Sequence, residues 1–396
     1  MRFATIGVTV AVLTVGHLPS KAQDVPAATS RVIDVQWPGG DAGAAPPFLE
    51  SRLSKVNQTL LPVLIPRHFL KFKTFAFVGE ELHYSASVLA NGAKLSISGT
   101  RIAIDPPKGS RLPPERGQQI TSEAGDGTSQ ATKVQYRAAY KVIVECEAEW
   151  DRRCVDARYA RRLLSGAHLM GGGKDAPSNA SEGEAAPLPP DQPFDKDFTF
   201  SPPGELTPGS GRGVVSTTVY TPDIRFPVEA GPAYLNSQVW NIGGNYGPKG
   251  SWRDKANYRY PWHDNFCESR ARRTLACPSG TGHQGVDIRP ADHRDATHWA
   301  VAVENGRITD VGIYTVTLVG RSGSEYRYLH MKMNRLAVQQ GASVTRGQRI
   351  GLISNDFGGT PTPVHLHFEL LQNVGGRGFH HVPPYTSLVR AYQGAK

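Results

Sequence analysis

Val364-His365-Leu366-His367-Phe368-Glu369-Leu370 alternates apolar and polar side chains without a break. A period of two marks a β-strand, because successive side chains leave a strand on opposite faces. Leu366, Phe368 and Leu370 share the face expected to pack into a core, and His365, His367 and Glu369 share the other. Two imidazoles side by side on one strand face can bind a metal, or one can bind while the other handles protons. An HxH strand is also an ordinary polar face, so it needs partners elsewhere before it marks a site.

Those partners lie upstream. His283-Gln284-Gly285-Val286-Asp287 sets His and Asp four apart, with a glycine between them that lets the backbone pass close to an ion. Tyr328-Leu329-His330 follows a strand-like run. Zinc favours imidazole nitrogen and carboxylate oxygen, and catalytic zinc keeps three protein ligands and one open position. His283, Asp287 and His367 would supply that set. His293 and His298 then read as loop residues, because the set is already complete. No HExxH spacing is present, which disfavours a glutamate-base mechanism.

At 396 residues the chain is long enough for two or three domains. With 42 Gly, 30 Pro and 20% charged residues, it reads as loop-rich and globular, not disordered. The net charge of +9 favours anionic surroundings such as wall polymer, membrane surface or nucleic acid. Its densest basic patch is Arg152–Arg162, and no zinc-finger spacing or RNA-binding aromatic motif occurs, so no nucleic-acid partner is expected.

Met1–Ala22 reads as a signal peptide: Arg2, an apolar Phe3–Val15, then Ser20-Lys21-Ala22. No later run of ~18 apolar residues follows, so no stable membrane span is expected after cleavage, and the protein is expected to be periplasmic or secreted. The four cysteines form two local pairs. Closing short loops costs least entropy, which predicts disulfides Cys146–Cys154 and Cys267–Cys277.

Residues 23–47 read as a flexible leader. A smaller β-rich domain follows over 48–170, with alternation at Leu95, Ile97, Ile102 and Ile104 and a β-rich run Tyr140–Cys146. Val155, Tyr159 and Leu163 predict one amphipathic helix ending near Gly166. No chemistry is visible in this domain. A Pro/Gly-rich linker spans 171–203, and 204–396 forms the second unit. The aromatic-dense stretch 258–267 could line a groove or pack a core.

Taken together, His283–Asp287 (HxGxD), Tyr328–His330 and His365–Glu369 resemble the motifs of the LytM/lysostaphin-type zinc metallopeptidases, the DD-endopeptidase family of peptidoglycan hydrolases. The connecting segments Val303–Ile308 and Gly341–Gly351 are similar too, and the resemblance covers about 283–371. It implies a mainly β fold, with a twisted antiparallel sheet forming an open groove and the site on its floor. It also implies one zinc ion (Zn2+) on His283, Asp287 and His367, with His330 and His365 as catalytic or orienting groups. The implied substrate is the stem-peptide cross-link of peptidoglycan, hydrolysed by a zinc-activated water. Two departures bear on the substrate groove. The segment after Asp287 lacks the usual Gly-Thr-Pro-Val wording, and the loop 320–325 lacks a histidine. Some relatives of this kind lose their ligands and activate other wall hydrolases. The alternative is therefore a non-enzymatic or autoinhibited activator or binding protein. The first domain could bind wall, recruit a partner, or lie over the groove.

Overall fold

The computed structural model describes residues 26–39, 56–110, 112–115, 119–125, 127–173, 195–357 and 361–394. The expected signal peptide, residues 40–47 of the leader and residues 174–194 of the linker lie outside them. Among the described residues no helix is long and apolar enough to cross a membrane.

The first unit contains β1 (Thr29–Val32), β2 (Val63–Pro66), β3 (Ala76–Gly79), β4 (His83–Ala90), β5 (Ala93–Thr100), β6 (Ile102–Asp105), β7 (Thr121–Gly125), β8 (Thr128–Gln135) and β9 (Ala138–Cys146). After these come α1 (Arg152–Val155), α2 (Arg158–Ser165) and β10 (Ala167–Gly171). Six strands form an antiparallel sheet in the order β3-β4-β5-β9-β8-β7. The alternation in β5 buries Leu95 and Ile97 opposite Val144 and Val142 of β9. Asn91 and Gly92, both at positive φ, close the β4–β5 hairpin, as an Asn-Gly turn should.

The single helix expected through Val155 is two helices. Arg158 donates its backbone N–H to the Asp156 carboxylate (2.8 Å), and this local bond competes with a continuous helix. Val155 is 58% exposed, while Ala160, Leu163 and Leu164 form the buried face. Cys146–Cys154 is bonded, tying α1 to β9.

The leader expected to be flexible holds a strand. β1 pairs with β6, and the Ala28 N–H donates to Val219 O (2.9 Å), so this segment touches both units. Its β-branched Thr29, Val32 and Ile33 stand amid Pro, Gly and Ala, which masks the strand signal.

The second unit contains β11 (Tyr234–Leu235), β12 (Val286–Arg289), β13 (Trp299–Val301), β14 (Gly306–Val311), β15 (Thr315–Gly320), β16 (Glu325–Leu329), β17 (Ser343–Val344), β18 (Arg349–Leu352), β19 (Leu366–Asn373), β20 (Phe379–His381) and α3 (Tyr385–Tyr392). The main sheet runs β11-β12-β19-β16-β15-β14-β17, with β20 also paired to β19, and every pairing is antiparallel. The fold is mainly β, as expected. Leu366, Phe368 and Leu370 enter the core beside Val286, Ile288, Tyr326 and Tyr328.

Within the stretch 258–267, Trp262 and Phe266 pack into the core. Trp262 is fully buried and stacks with Phe226 and Tyr392. Phe198 lies 4.5 Å from the Trp262 ring and 4.8 Å from Tyr392, so packing of this unit begins before residue 204.

Polar contacts join the two units. Lys141 on β9 forms a buried ion pair with Glu325 on β16. The Tyr314 N–H donates to Glu145 (2.7 Å), and Asn373 donates to the Ile102 carbonyl (3.0 Å).

Candidate metal centre

The register of β12 against β19 sets Asp287 directly opposite His367, and opposed residues project from the same face. On the other side of β19, β16 pairs Leu329 with His367 and delivers His330 at its end. His283 arrives just before β12, past a tight approach at Gly285. A Cβ there would lie 2.5 Å from the Phe368 carbonyl oxygen and 2.9 Å from His367 Nε2. Only glycine lets the two strands close to this distance.

Three donor atoms converge. His283 Nε2 lies 2.8 Å from His367 Nδ1, and Asp287 Oδ1 lies 3.1 Å from each. The opposite ring nitrogens are already engaged. His283 Nδ1 donates to the Asn265 carbonyl (2.8 Å), and His367 Nε2 donates to Glu369 Oε1 (3.1 Å). Those partners assign the tautomers, so both remaining lone pairs point at one spot beside a carboxylate oxygen. Such a set repels itself unless a cation or proton sits between. Tetrahedral zinc with bonds of about 2.0–2.1 Å spaces its ligands by roughly 3.3 Å, close to what is seen. The donor set therefore fits zinc. Among the described residues it is the group of three such donors close enough to share an ion.

Neighbouring charges hold the ligands ready. Arg270 donates to Asp287 Oδ2 (2.6 Å), leaving Oδ1 for the ion, and Asn265 Oδ1 accepts the Asp287 N–H (2.8 Å). Burial and then Arg270 push His283 down to about 4, so the ring is neutral and free to ligate near pH 7. Burial alone would raise the Asp287 carboxyl, but His283 and Arg270 hold it well below the usual range.

Two further imidazoles flank the set. His365 Nε2 lies 3.4 Å from Asp287 Oδ1, and its Nδ1 donates to the Pro363 carbonyl (2.6 Å). The His330 ring centre is 4.5 Å from that of His365, and its Nδ1 donates to the Asp356 carbonyl (3.1 Å). Each thus keeps an Nε2 lone pair as an acceptor. Burial, then His365, holds His330 well below its ordinary pKa. His330 also sits at φ 62°, a costly conformation for a non-glycine residue and one that clusters at functional sites.

Two loops flank the centre. One, around the bonded Cys267–Cys277, carries Arg270; the other carries Tyr314, which meets Phe357, which meets His330. The β7–β8 hairpin of the first unit reaches both. A Cβ on Gly125 would strike Arg272 at 2.8 Å, and one on Gly127 would strike the Tyr314 hydroxyl at 2.7 Å. Arg272 donates to Thr128 (2.7 Å), and the Arg273 N–H donates to Ala124 (3.2 Å). Ala124, Gly125, Gly127 and Thr128 thus pack against the loops beside the centre, and His283, Asp287, His330, His365 and His367 are all buried.

The chain matches the family model described as Peptidase family M23 over residues 281–377, a span that includes all five of these residues. No curated protein matches the chain. Among solved structures, the chain is similar to a LytM protein of Ruminococcus gnavus (18% identity, 43% of this chain, 61% of that one, TM-score 0.28). It is also similar to the lysostaphin catalytic domain of Staphylococcus simulans (22%, 33% and 93%, TM-score 0.25). Helicobacter pylori Csd3 is similar over 76% of this chain and 54% of its own (14%, TM-score 0.23). The chain thus spans under two thirds of the length of two of these three.

The second unit brings together all five residues named from sequence. His293 and His298 stay apart: His293 edges Trp252 and His298 pairs with Asp292. Arg270 lies in a loop before the first motif with no regular spacing to betray it, whereas Asn265 falls within the stretch 258–267 that could line a groove. Glu369 shares the strand face of His367 and accepts from it.

Proposed function

We propose that the chain is an exported zinc endopeptidase that cleaves the peptide cross-links of peptidoglycan. The convergence of two imidazole lone pairs and one carboxylate oxygen, with two more imidazole acceptors beside them, carries this reading. His283 Nε2, Asp287 Oδ1 and His367 Nδ1 would hold the ion. Bound there, zinc supplies Lewis acidity towards a carbonyl and makes a water acidic enough to lose a proton near neutral pH. His365 and His330 each present an Nε2 that would take a proton from the attacking water and return it to the leaving amine. His365 stands nearer the ligands, while His330 is fixed by its backbone conformation and by the Phe357 ring. The basic charge, the N-terminal signal and the two disulfides support work at an anionic wall outside the cytoplasm.

A second reading, that the full chain is held closed, is favoured by the close approach of Gly125, Gly127 and Thr128 to the loops beside the centre. Both are tested by digesting purified sacculi, with and without a chelator. The full chain is compared with one starting at residue 195, which keeps Phe198 in its core. The expected result is peptide release by the shortened chain, abolished by chelation, and slower release by the full chain. Zinc-supplied protein that releases no peptide in either form overturns the reading.

A further inference from the structure

A second line of buried groups leaves His367 on its far side and ends in the other unit. His367 Nε2 donates to Glu369 Oε1 (3.1 Å). The other oxygen, Oε2, faces Arg327 at 2.5 Å and His381 Nε2 at 3.4 Å. On the opposite edge of its ring, His381 Nδ1 meets Glu123 Oε2 at 3.2 Å. Glu123 belongs to β7 of the first unit, while His381 ends β20, the neighbour of β19. Every side chain in this line is at most 9% exposed.

Glu123 has further holds on the second unit. Its Oε1 accepts the Leu275 N–H (2.6 Å), and its Oε2 accepts from Gln284, the residue after His283 (3.0 Å). A histidine between two buried carboxylates donates to both only as the imidazolium. Burial would lower His381, but Glu123 and Glu369 raise it. Without Glu123 that charge is unbalanced, and His381 no longer has a fixed anchor.

We propose that Glu123 of the first unit is a positioning residue for the metal centre of the second. Through His381 it keeps Glu369 turned towards His367, fixing that ring and tautomer with the Nδ1 lone pair aimed at His283 and Asp287. The proposal rests on the zinc reading above. Partners one step behind a metal ligand typically change metal affinity by about 10–100-fold when removed. Glu123 lies further out, and a smaller loss of about three- to tenfold is expected from it.

The test measures zinc affinity of the full chain against a chromophoric chelator, beside the melting temperature of the metal-free form. Glu123→Gln should weaken zinc about three- to tenfold, and His381→Gln, one step nearer the ligand, about tenfold. Lys94→Met, which breaks a different pair between the units (Lys94–Asp310, 3.3 Å), should lower the melting temperature and leave zinc affinity unchanged. Cobalt(II) in place of zinc should show a shifted visible ligand-field band in Glu123→Gln, a change that loosened packing alone would not cause. Should His381→Gln fail to fold, Glu123→Gln, nearly equal in size, carries the test. Native affinity and an unshifted cobalt band in the variants overturn this proposal alone. A native chain that takes up no zinc overturns the metal reading and this proposal with it.

Discussion

At the scale of single residues, each imidazole of the candidate centre is gripped by the nitrogen that does not face the other donors. Asn265 holds His283 and Glu369 holds His367, so the lone pairs are aimed before any ion arrives. On the proposed reading, ligation and proton handling fall to different histidines, and substitution should separate them. His283→Ala and His367→Ala should lose both bound zinc and activity. His330→Ala should keep its zinc and lose about 10²–10⁴-fold in turnover, the range for a missing acid–base group. Metal content per chain beside turnover checks this, and a His367→Ala protein still holding one zinc per chain would contradict it. Four of the five histidine and aspartate positions were legible because their spacings are local, four apart before one strand and two apart along another, while His330 stands alone after its strand-like run. Arg270 was not legible, because it reaches Asp287 across 17 residues of irregular loop.

At the scale of elements, the β12–β19 pairing makes the site, and a single slip of register would turn Asp287 away from His367. Gly285 permits that pairing. Gly285→Ala should force the strands apart, costing on the order of 1–3 kcal/mol of stability as an overpacked contact does, and should weaken zinc binding. Urea midpoints and a zinc titration would show both, and native values in each would refute the role given to this glycine. The period of two identified β19 correctly. It failed where local chemistry intervened, as at Asp156 between the two helices, or where composition hid a strand, as in β1.

At the scale of the whole molecule, the buried charges between the units were beyond the reach of sequence. Lys141 and Glu145 lie in the run Tyr140–Cys146, where alternation alone would send them to solvent; the second unit covers them instead. Burial pushes the Glu145 carboxyl up to about 7, from an ordinary value near 4.5, against the opposing pull of Arg327 and the Tyr314 N–H. The folded state therefore holds an extra proton between these values. This group's contribution to stability is full below about 4.5 and is lost as pH rises through about 7, a change on the order of 3 kcal/mol. Glu145→Gln should be close to native at pH 5 and more stable than native at pH 8, as read by urea unfolding at both. An equal difference at the two pH values would contradict it.

The strand at the start of the described chain has a practical corollary. Thr29–Val32 is paired to β6, and Ala28 is bonded to Val219, so the first unit grips the second at a seam that owes nothing to the connecting segment. A protease that nicked the chain anywhere between 174 and 194 would yield two fragments on a denaturing gel that still travel as one particle through a sizing column.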